Sequence, residues 1–321
     1  MAQIPTSPPS STASPSLSAS SKKWGGKVLL AGEYTVTCGG AALAVCLGGL
    51  GGCWQMRASG QERDLAWAKF GTWILGQDWP WFNQAKWKTE FKHLAWVSDL
   101  PQGIGLGSSG ALCAAIYDRF ALDDEVNILD DALLKARLAC LEGYFHGVSS
   151  GLDPLVCLRQ KAYLVQDKLQ SIALPRPWHL QKLASLSALS AAVPNFFLWD
   201  CGIPRQTKNL MPHFQKLGQS DPAAVEELKL AQQNLALALA NHLKGEPAYQ
   251  DIFSSWHMVA NLEAKYLAPM IPPIVQKFWP GENFQLKLCG AGGGGCFLGL
   301  AAPGADLRPL LAIGPVWQLV P

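Results

Sequence analysis

Short apolar runs broken by glycine dominate the chain. Residues 27–30 form an apolar strand candidate. A second run follows at 34–37, then a Cys-Gly-Gly turn at 38–40 and a buried strand at 41–47. Residues 65–96 interleave Trp with Lys and give no clean period. A Pro/Gly/Ser loop at 100–109 opens into an Ala-rich helix at 110–120, whose small residues allow close packing. At 130–145, Leu133, Leu134, Ala136, Leu138 and Leu141 repeat at about the helical spacing. After a small-residue loop at 147–151, strands are predicted at 162–165 and 196–199. A long helix is predicted at 222–243, and a strand–glycine loop–strand unit at 282–300. Residues 1–22 are Pro, Ser, Thr and Ala with almost no apolar anchors, and are expected to be a disordered tail.

Composition narrows the function classes. The 321 residues are 49% hydrophobic and 16% charged, which fits a folded chain with large cores. A net charge of +2 with no clustered Lys/Arg face argues against nucleic acid. No apolar stretch is long enough to span a bilayer and no leader is legible at the N-terminus, so a cytoplasmic protein without membrane partners is expected. The nine cysteines are odd in number and contain no CxxC pair. They read as buried free thiols in a reducing compartment. Six of the thirteen tryptophans fall between Trp67 and Trp96 and read as packing.

Four segments carry candidate chemistry. P-Q-G-I-G-L-G-S-S-G-A at 101–111 places glycines before a helix N-terminus, where converging N–H groups and the helix dipole suit a phosphate chain. The same loop also reads as an ordinary helix cap, and it lacks the Lys-Ser/Thr of a Walker A loop. Glu142 and Asp153 flank a tight loop. One acid can hold Mg²⁺ and the other can orient a hydroxyl, or they are a solvated helix-end Glu and a capping Asp. His146 between them reads as a hydrogen-bonded loop residue. K-L-C-G-A-G-G-G-G-C-F at 287–297 holds five glycines in six residues, more than a hairpin needs. G-K-V-L-L-A-G-E-Y at 26–34 taken alone is a strand start and a turn.

The four segments stand in the order and approximate spacing of the GHMP kinases, which the chain resembles over most of residues 25–300. The segment at 142–153 resembles the H-G-x-P-S-G-x-D loop of the mevalonate kinases in particular, and D-C-G-I-P-R-Q-T at 200–207 also looks like theirs. The resemblance implies an α+β fold of two domains. The N-terminal domain at 23–195 would be ribosomal S5 domain 2-like, and the C-terminal domain at 196–321 ferredoxin-like. It implies ATP and Mg²⁺ as cofactors and transfer of the γ-phosphoryl group to the primary hydroxyl of mevalonate or a related small molecule. It is compatible with a homodimer.

The implied roles can be placed residue by residue. Asp153 would be the catalytic base or orienting group, with Lys27 beside it. Gly103, Gly105, Leu106, Gly107, Ser108 and Ser109 would cradle the ATP phosphates, and Ser109 and Glu142 would hold Mg²⁺. Glu33, Tyr34, Thr207, Gly290, Ala291, Gly292 and Gly293 would lie near the acceptor or line the glycine loop. Two departures stand out: Ser149 replaces a common Pro, and Tyr34 replaces the His of G-E-H. The A-G-E-Y form is also that of phosphomevalonate kinases, which makes them the nearest rival reading. A non-catalytic ligand sensor of the same fold is the rival of a different class.

Overall fold

The computed structural model describes residues 22–57, 65–100, 105–122, 129–147, 149–174, 176–183, 195–205, 210–279, 281 and 283–320. The N-terminal tail expected at 1–22 lies outside these, apart from Lys22. So do Gly103 and Thr207. The chain forms two compact units that interleave along the sequence. One takes the described residues of Met1–Lys27, Leu47–Leu100 and Gly107–Gln160, the other those of Val28–Cys46, Pro101–Leu106 and Lys161–Pro321.

The first unit contains the start of β1 (Trp24–Ala31), the second part of β2 (Ala42–Met56), and β3 (Leu94–Ser98). β2 pairs antiparallel with β3, Trp54 opposite Trp96. Its described residues also form the helices α1 (Leu65–Leu75), α2 (Gln84–Glu90), α3 (Ser108–Phe120), α4 (Asp131–His146) and α5 (Leu152–Arg159). The stretch without a clean period is therefore helix, helix, strand. Trp67, Phe70, Gly71 and Ile74 form the buried stripe of α1, while Leu65 at its edge is exposed.

The tryptophans do pack. Trp87 stacks on Phe91 with centroids 4.0 Å apart, Trp54 meets Trp96 edge-on at 5.3 Å, and Phe70 lies 4.8 Å from Tyr144. Such pairs add to the area term of burial, itself about 1.5–3 kcal/mol per large apolar side chain.

Helix α3 is buried along nearly its whole length and packs against α4 and α5. Asp130 caps α4 by accepting from Leu133 N at 2.8 Å. The buried stripe of α4 is Leu134, Leu138, Leu141 and Phe145. Leu133 and Ala136, part of the predicted period, face solvent.

In the second unit, β4 (Ala162–Val165) pairs antiparallel with both the start of β2 and β5 (Leu169–Ile172). A second antiparallel ladder runs β6 (Trp178–Lys182), β10 (Val316–Val320), β7 (Asn195–Asp200), β9 (Cys296–Ala301) and β8 (Phe284–Leu288). Helices α6 (Leu210–Ser220), α7 (Pro222–Leu243) and α8 (Tyr249–Tyr266) belong to this unit. α7 packs on α8, and α8 on β8. Asp221 caps α7 and Pro222 opens it, as its position at the first turn favours.

The run at 34–37 is not a strand. Gly32 at φ 104° and Tyr34 at φ 63° bend the chain into a 3₁₀ turn at Thr35–Cys38. All nine cysteines are free as expected, but Cys38 and Cys140 are exposed rather than buried. Among the described residues no helix is long and apolar enough to cross a membrane.

Candidate active site

In the first unit, α3, α4, α5 and the start of β1 bring six side chains together. Lys27 is the last β1 residue of that unit. Its Nζ lies 2.9 Å from Asp153 Oδ2, in the first turn of α5. Two glycines permit this arrangement. Gly107 enters α3 in the left-handed conformation, and a Cβ there would lie 2.7 Å from Lys27 Cγ. At Gly110 a Cβ would sit 3.0 Å from the Asp153 carbonyl carbon, so the α3 backbone can lie directly against the chain carrying Asp153. Among the described residues no side chain caps α3. Its first N–H groups and positive dipole end are left for another acceptor.

Glu142, on the last turn of α4, is 3% exposed. Ser109 Oγ donates to its Oε1 at 3.5 Å, Ser149 Oγ donates to its Oε2, and Gly151 N donates to Ser149 Oγ at 2.9 Å. Ser109 Oγ also lies 3.2 Å from His146 Nε2. Burial pushes the Glu142 carboxyl up to about 8. The nearby Asp153 charge adds to this, while Ser149, Lys27 and Ser109 oppose it. Two carboxyls, one buried, thus share a single ammonium, and a cation bound there would relieve their repulsion.

The Ser109 and Ser149 hydroxyls beside Glu142 offer oxygens, as a hard cation prefers, with the His146 nitrogen beside Ser109. No group of three or more His, Cys, Asp or Glu among the described residues forms an all-protein metal cage. Mg²⁺ binds through one or two carboxylates plus substrate phosphates, and Glu142 with the Ser109 hydroxyl is a donor set of that kind.

The second unit gathers the other predicted residues. Lys287 Nζ donates to Glu33 Oε2 at 2.8 Å and to Leu288 O at 2.8 Å, and both charged side chains are fully buried. Glu263 accepts from Leu288 N at 2.8 Å and from Gln232 Nε2 at 3.2 Å, and Gln232 Oε1 accepts from Gly32 N at 2.8 Å. Burial pushes Glu263 up to about 8, against the pull of Lys287. The Tyr34 hydroxyl donates to Ala291 O, and its ring lies 5.2 Å from Phe214. Burial raises that hydroxyl far above its ordinary range, so it stays a donor.

In the glycine loop, Gly290, Gly292, Gly293, Gly294 and Gly295 all have positive φ. Gly293 N donates to Met270 O and Gly295 N to Ile203 O. The excess of glycine is therefore a backbone path that no other residue follows without strain. Gly105, of the predicted phosphate loop, lies against Arg205 and Cys289 O.

Residues 81–161 match the family model for the GHMP kinases N terminal domain. Three solved structures align over nearly the whole chain. The L. major mevalonate kinase in complex with R-mevalonate is 17% identical, covers 94% of this chain and 96% of its own, and has a TM-score of 0.60. The Methanococcus jannaschii mevalonate kinase is 15% identical, with coverage of 94% and 99% and a TM-score of 0.59. The Streptococcus pneumoniae phosphomevalonate kinase in complex with phosphomevalonate and AMPPNP is 14% identical, with coverage of 92% and 97% and a TM-score of 0.61.

The chain has the fold of a GHMP kinase.

No curated protein matches it by sequence. GHMP kinases are ATP-using phosphotransferases, and this fold is shared by enzymes with different acceptors, among them a Lactococcus lactis galactokinase at 14% identity and a TM-score of 0.51.

Within this GHMP kinase fold the predicted residues fall into two groups, one per unit. Lys27, Ser109, Glu142 and Asp153 come together in the first, with Gly107 and Ser108 at the head of α3. Glu33, Tyr34, Gly105, Leu106 and Gly290–Gly293 belong to the second. Sequence reasoning treated Ser149 only as a replaced proline, yet it is a hydrogen-bond partner of Glu142. His146 is the last residue of α4, not a loop residue, and meets Ser109. Asp153 is the second residue of α5 and no helix cap. Lys287 opened the glycine segment in the sequence reading without being given a role, and Glu263 was missed. The only available signal was a Lys inside an apolar strand.

Proposed function

We propose that this protein is an ATP- and Mg²⁺-dependent kinase that transfers the γ-phosphoryl group to the primary hydroxyl of mevalonate. The observation that carries the reading is the Lys27–Asp153 pair set against the uncapped start of α3, with Ser109 and Glu142 one hydrogen bond apart. Asp153 accepts or orients the acceptor hydroxyl proton. Lys27, ion-paired with that carboxylate, stabilises negative charge in the transfer. The first N–H groups of α3 hold phosphate oxygens. Ser109 and Glu142 are the ligands offered to Mg²⁺, which when bound neutralises the phosphate charge. Most of the rate acceleration on this reading is positioning and electrostatics.

A second reading, phosphomevalonate kinase, is favoured by one observation: Tyr34 completes an A-G-E-Y segment and its hydroxyl is committed to the glycine loop. A coupled ADP-release assay with Mg-ATP separates the two when mevalonate, phosphomevalonate, homoserine and galactose are run side by side. Turnover of mevalonate alone is the expected result. Turnover of phosphomevalonate alone would move the protein to the second reading. No turnover of any acceptor would favour a non-catalytic sensor.

A further inference from the structure

His146 closes α4 four residues after Glu142, so the two side chains lie on one face of the helix. Glu142 is buried and His146 is exposed. Ser109, the second residue of α3, is buried against both. Its Oγ stands 3.2 Å from His146 Nε2 and 3.5 Å from Glu142 Oε1. All three residues belong to the first unit. The function proposed above uses Ser109 and Glu142 and leaves His146 without a task.

Counting hydrogens gives it one. A serine hydroxyl carries one hydrogen and two lone pairs. A hydroxyl that serves a cation gives it a lone pair and must send its hydrogen elsewhere. Sent to Glu142, that hydrogen would occupy Oε1, while Oε2 already accepts from Ser149. Both carboxylate oxygens would then be turned to hydroxyls, and less of their charge would be left for a metal ion. His146 Nε2 is the nearer acceptor. In the neutral ring with its hydrogen on Nδ1, that nitrogen has a free lone pair. The opposite tautomer would point an N–H at the serine oxygen and take up a lone pair that the cation needs.

We infer that His146 is a positioning residue whose Nε2 accepts the Ser109 hydroxyl hydrogen, leaving the serine oxygen and Glu142 Oε1 free to bind a divalent cation. His146 is not itself assigned as a ligand. This rests on the kinase reading above and deepens it. Partners of this kind, one step outside the metal ligands, are commonly worth 10–100-fold in metal affinity.

The test uses the full chain at pH 8, above the ordinary imidazole pKa of about 6.5. Mn²⁺ is the probe, and its binding in the presence of AMPPNP is followed by the loss of the free-ion paramagnetic resonance signal. His146→Leu, at an exposed helix end, should raise the Mn²⁺ Kd at least tenfold while metal-free AMPPNP binding stays within twofold. His146→Gln, whose side-chain carbonyl can accept the same hydrogen, should stay within threefold of wild type. In a Ser109→Ala background, His146→Leu should add less than twofold, since the hydroxyl it serves is gone.

An unchanged Mn²⁺ Kd in His146→Leu would overturn the inference. So would a His146→Gln as weak as His146→Leu, or a full His146→Leu loss in the Ser109→Ala background. The wild-type chain gives a check that needs no variant. Long-range proton–nitrogen spectra with Mg²⁺ and AMPPNP should show the His146 hydrogen on Nδ1, and a hydrogen on Nε2 would overturn the inference. Wild-type protein that binds neither metal nor AMPPNP and turns over no acceptor would instead remove the kinase reading, and this inference with it.

Discussion

Lys27 Nζ and Asp153 Oδ2 stand 2.9 Å apart, with the lysine side chain 7% exposed and the aspartate 33% exposed. The cation is held inside the unit and the carboxylate looks outward. That asymmetry suits a pair in which the acid meets a substrate hydroxyl while the base partner stays dry. On the proposed kinase reading, Asp153→Asn should lower kcat by about 10²–10⁴-fold, the usual weight of a positioned acid–base group. Circular dichroism should show the fold retained. A variant within tenfold of wild type would refute the role.

The same pair should behave as one unit. Lys27→Ala and Asp153→Asn, each costly alone, should combine to far less than the product of their separate effects. A double-mutant cycle on kcat/KM is the measurement. Additive losses would mean that the lysine acts independently of the acid.

Glu142 links the site to pH. Its carboxyl is pushed up to about 8 in the folded chain against an ordinary value of 4.5. The folded state therefore holds a proton that the unfolded state has released. Stability from this source is full below pH 4.5 and is lost as pH rises towards 8. Glu263, also raised to about 8, contributes in the same direction. The thermal midpoint of the metal-free protein should fall across this window, and Glu142→Gln should make the fall shallower. The same variant should need more Mg²⁺ for half-maximal activity. A Mg²⁺ titration that matches wild type would withdraw Glu142 as a ligand.

Gly110 sets the distance between α3 and the chain carrying Asp153. An alanine Cβ there would press on the Asp153 carbonyl carbon at 3.0 Å and on Pro154 N at 3.1 Å. Gly110→Ala should lower kcat by on the order of tenfold, since small misplacements of a reacting group are expensive. The KM for ATP should move little. Wild-type kcat would show that α3 absorbs the methyl group without moving Asp153.

Lys287 and Glu33 are a fully buried pair. Lys287→Met removes one partner and should destabilise the chain by about 3–5 kcal/mol, the usual consequence of stranding a buried charge. Adding Glu33→Gln should recover part of that loss in urea unfolding. A loss below about 1 kcal/mol would place water or another group beside Glu33.

The helices and loops that frame the first group of residues were legible because their signals are local. A glycine loop followed by small residues marked α3, and Asp130 with the leucine repeat marked α4. The 3₁₀ turn at Thr35–Cys38 was hidden because an apolar run reads as strand unless the backbone angles of Gly32 and Tyr34 are known. Helix α5 is short and has Asp and Pro as its second and third residues, which look like a turn. The Trp-rich helices α1 and α2 carry lysines on their outer faces, which blurs the period. The deepest omissions are long-range: Lys287 meets Glu33 across 254 positions, and Gln232 reaches Gly32 across 200. No local pattern encodes such meetings.

The interleaving of the two units has a practical consequence for anyone dissecting the molecule. β1 passes from one unit to the other between Lys27 and Val28, and β2 passes back between Cys46 and Leu47. No single cut in the gene yields either unit whole. A fragment beginning after residue 46 would lack Lys27 and Glu33 together, while one ending at Gln160 would keep Lys27 and Asp153 but strip β2 of its β4 partner. Fragment expression is therefore a poor route to this protein. Rearranged or permuted genes that keep β1 and β2 intact are the better one.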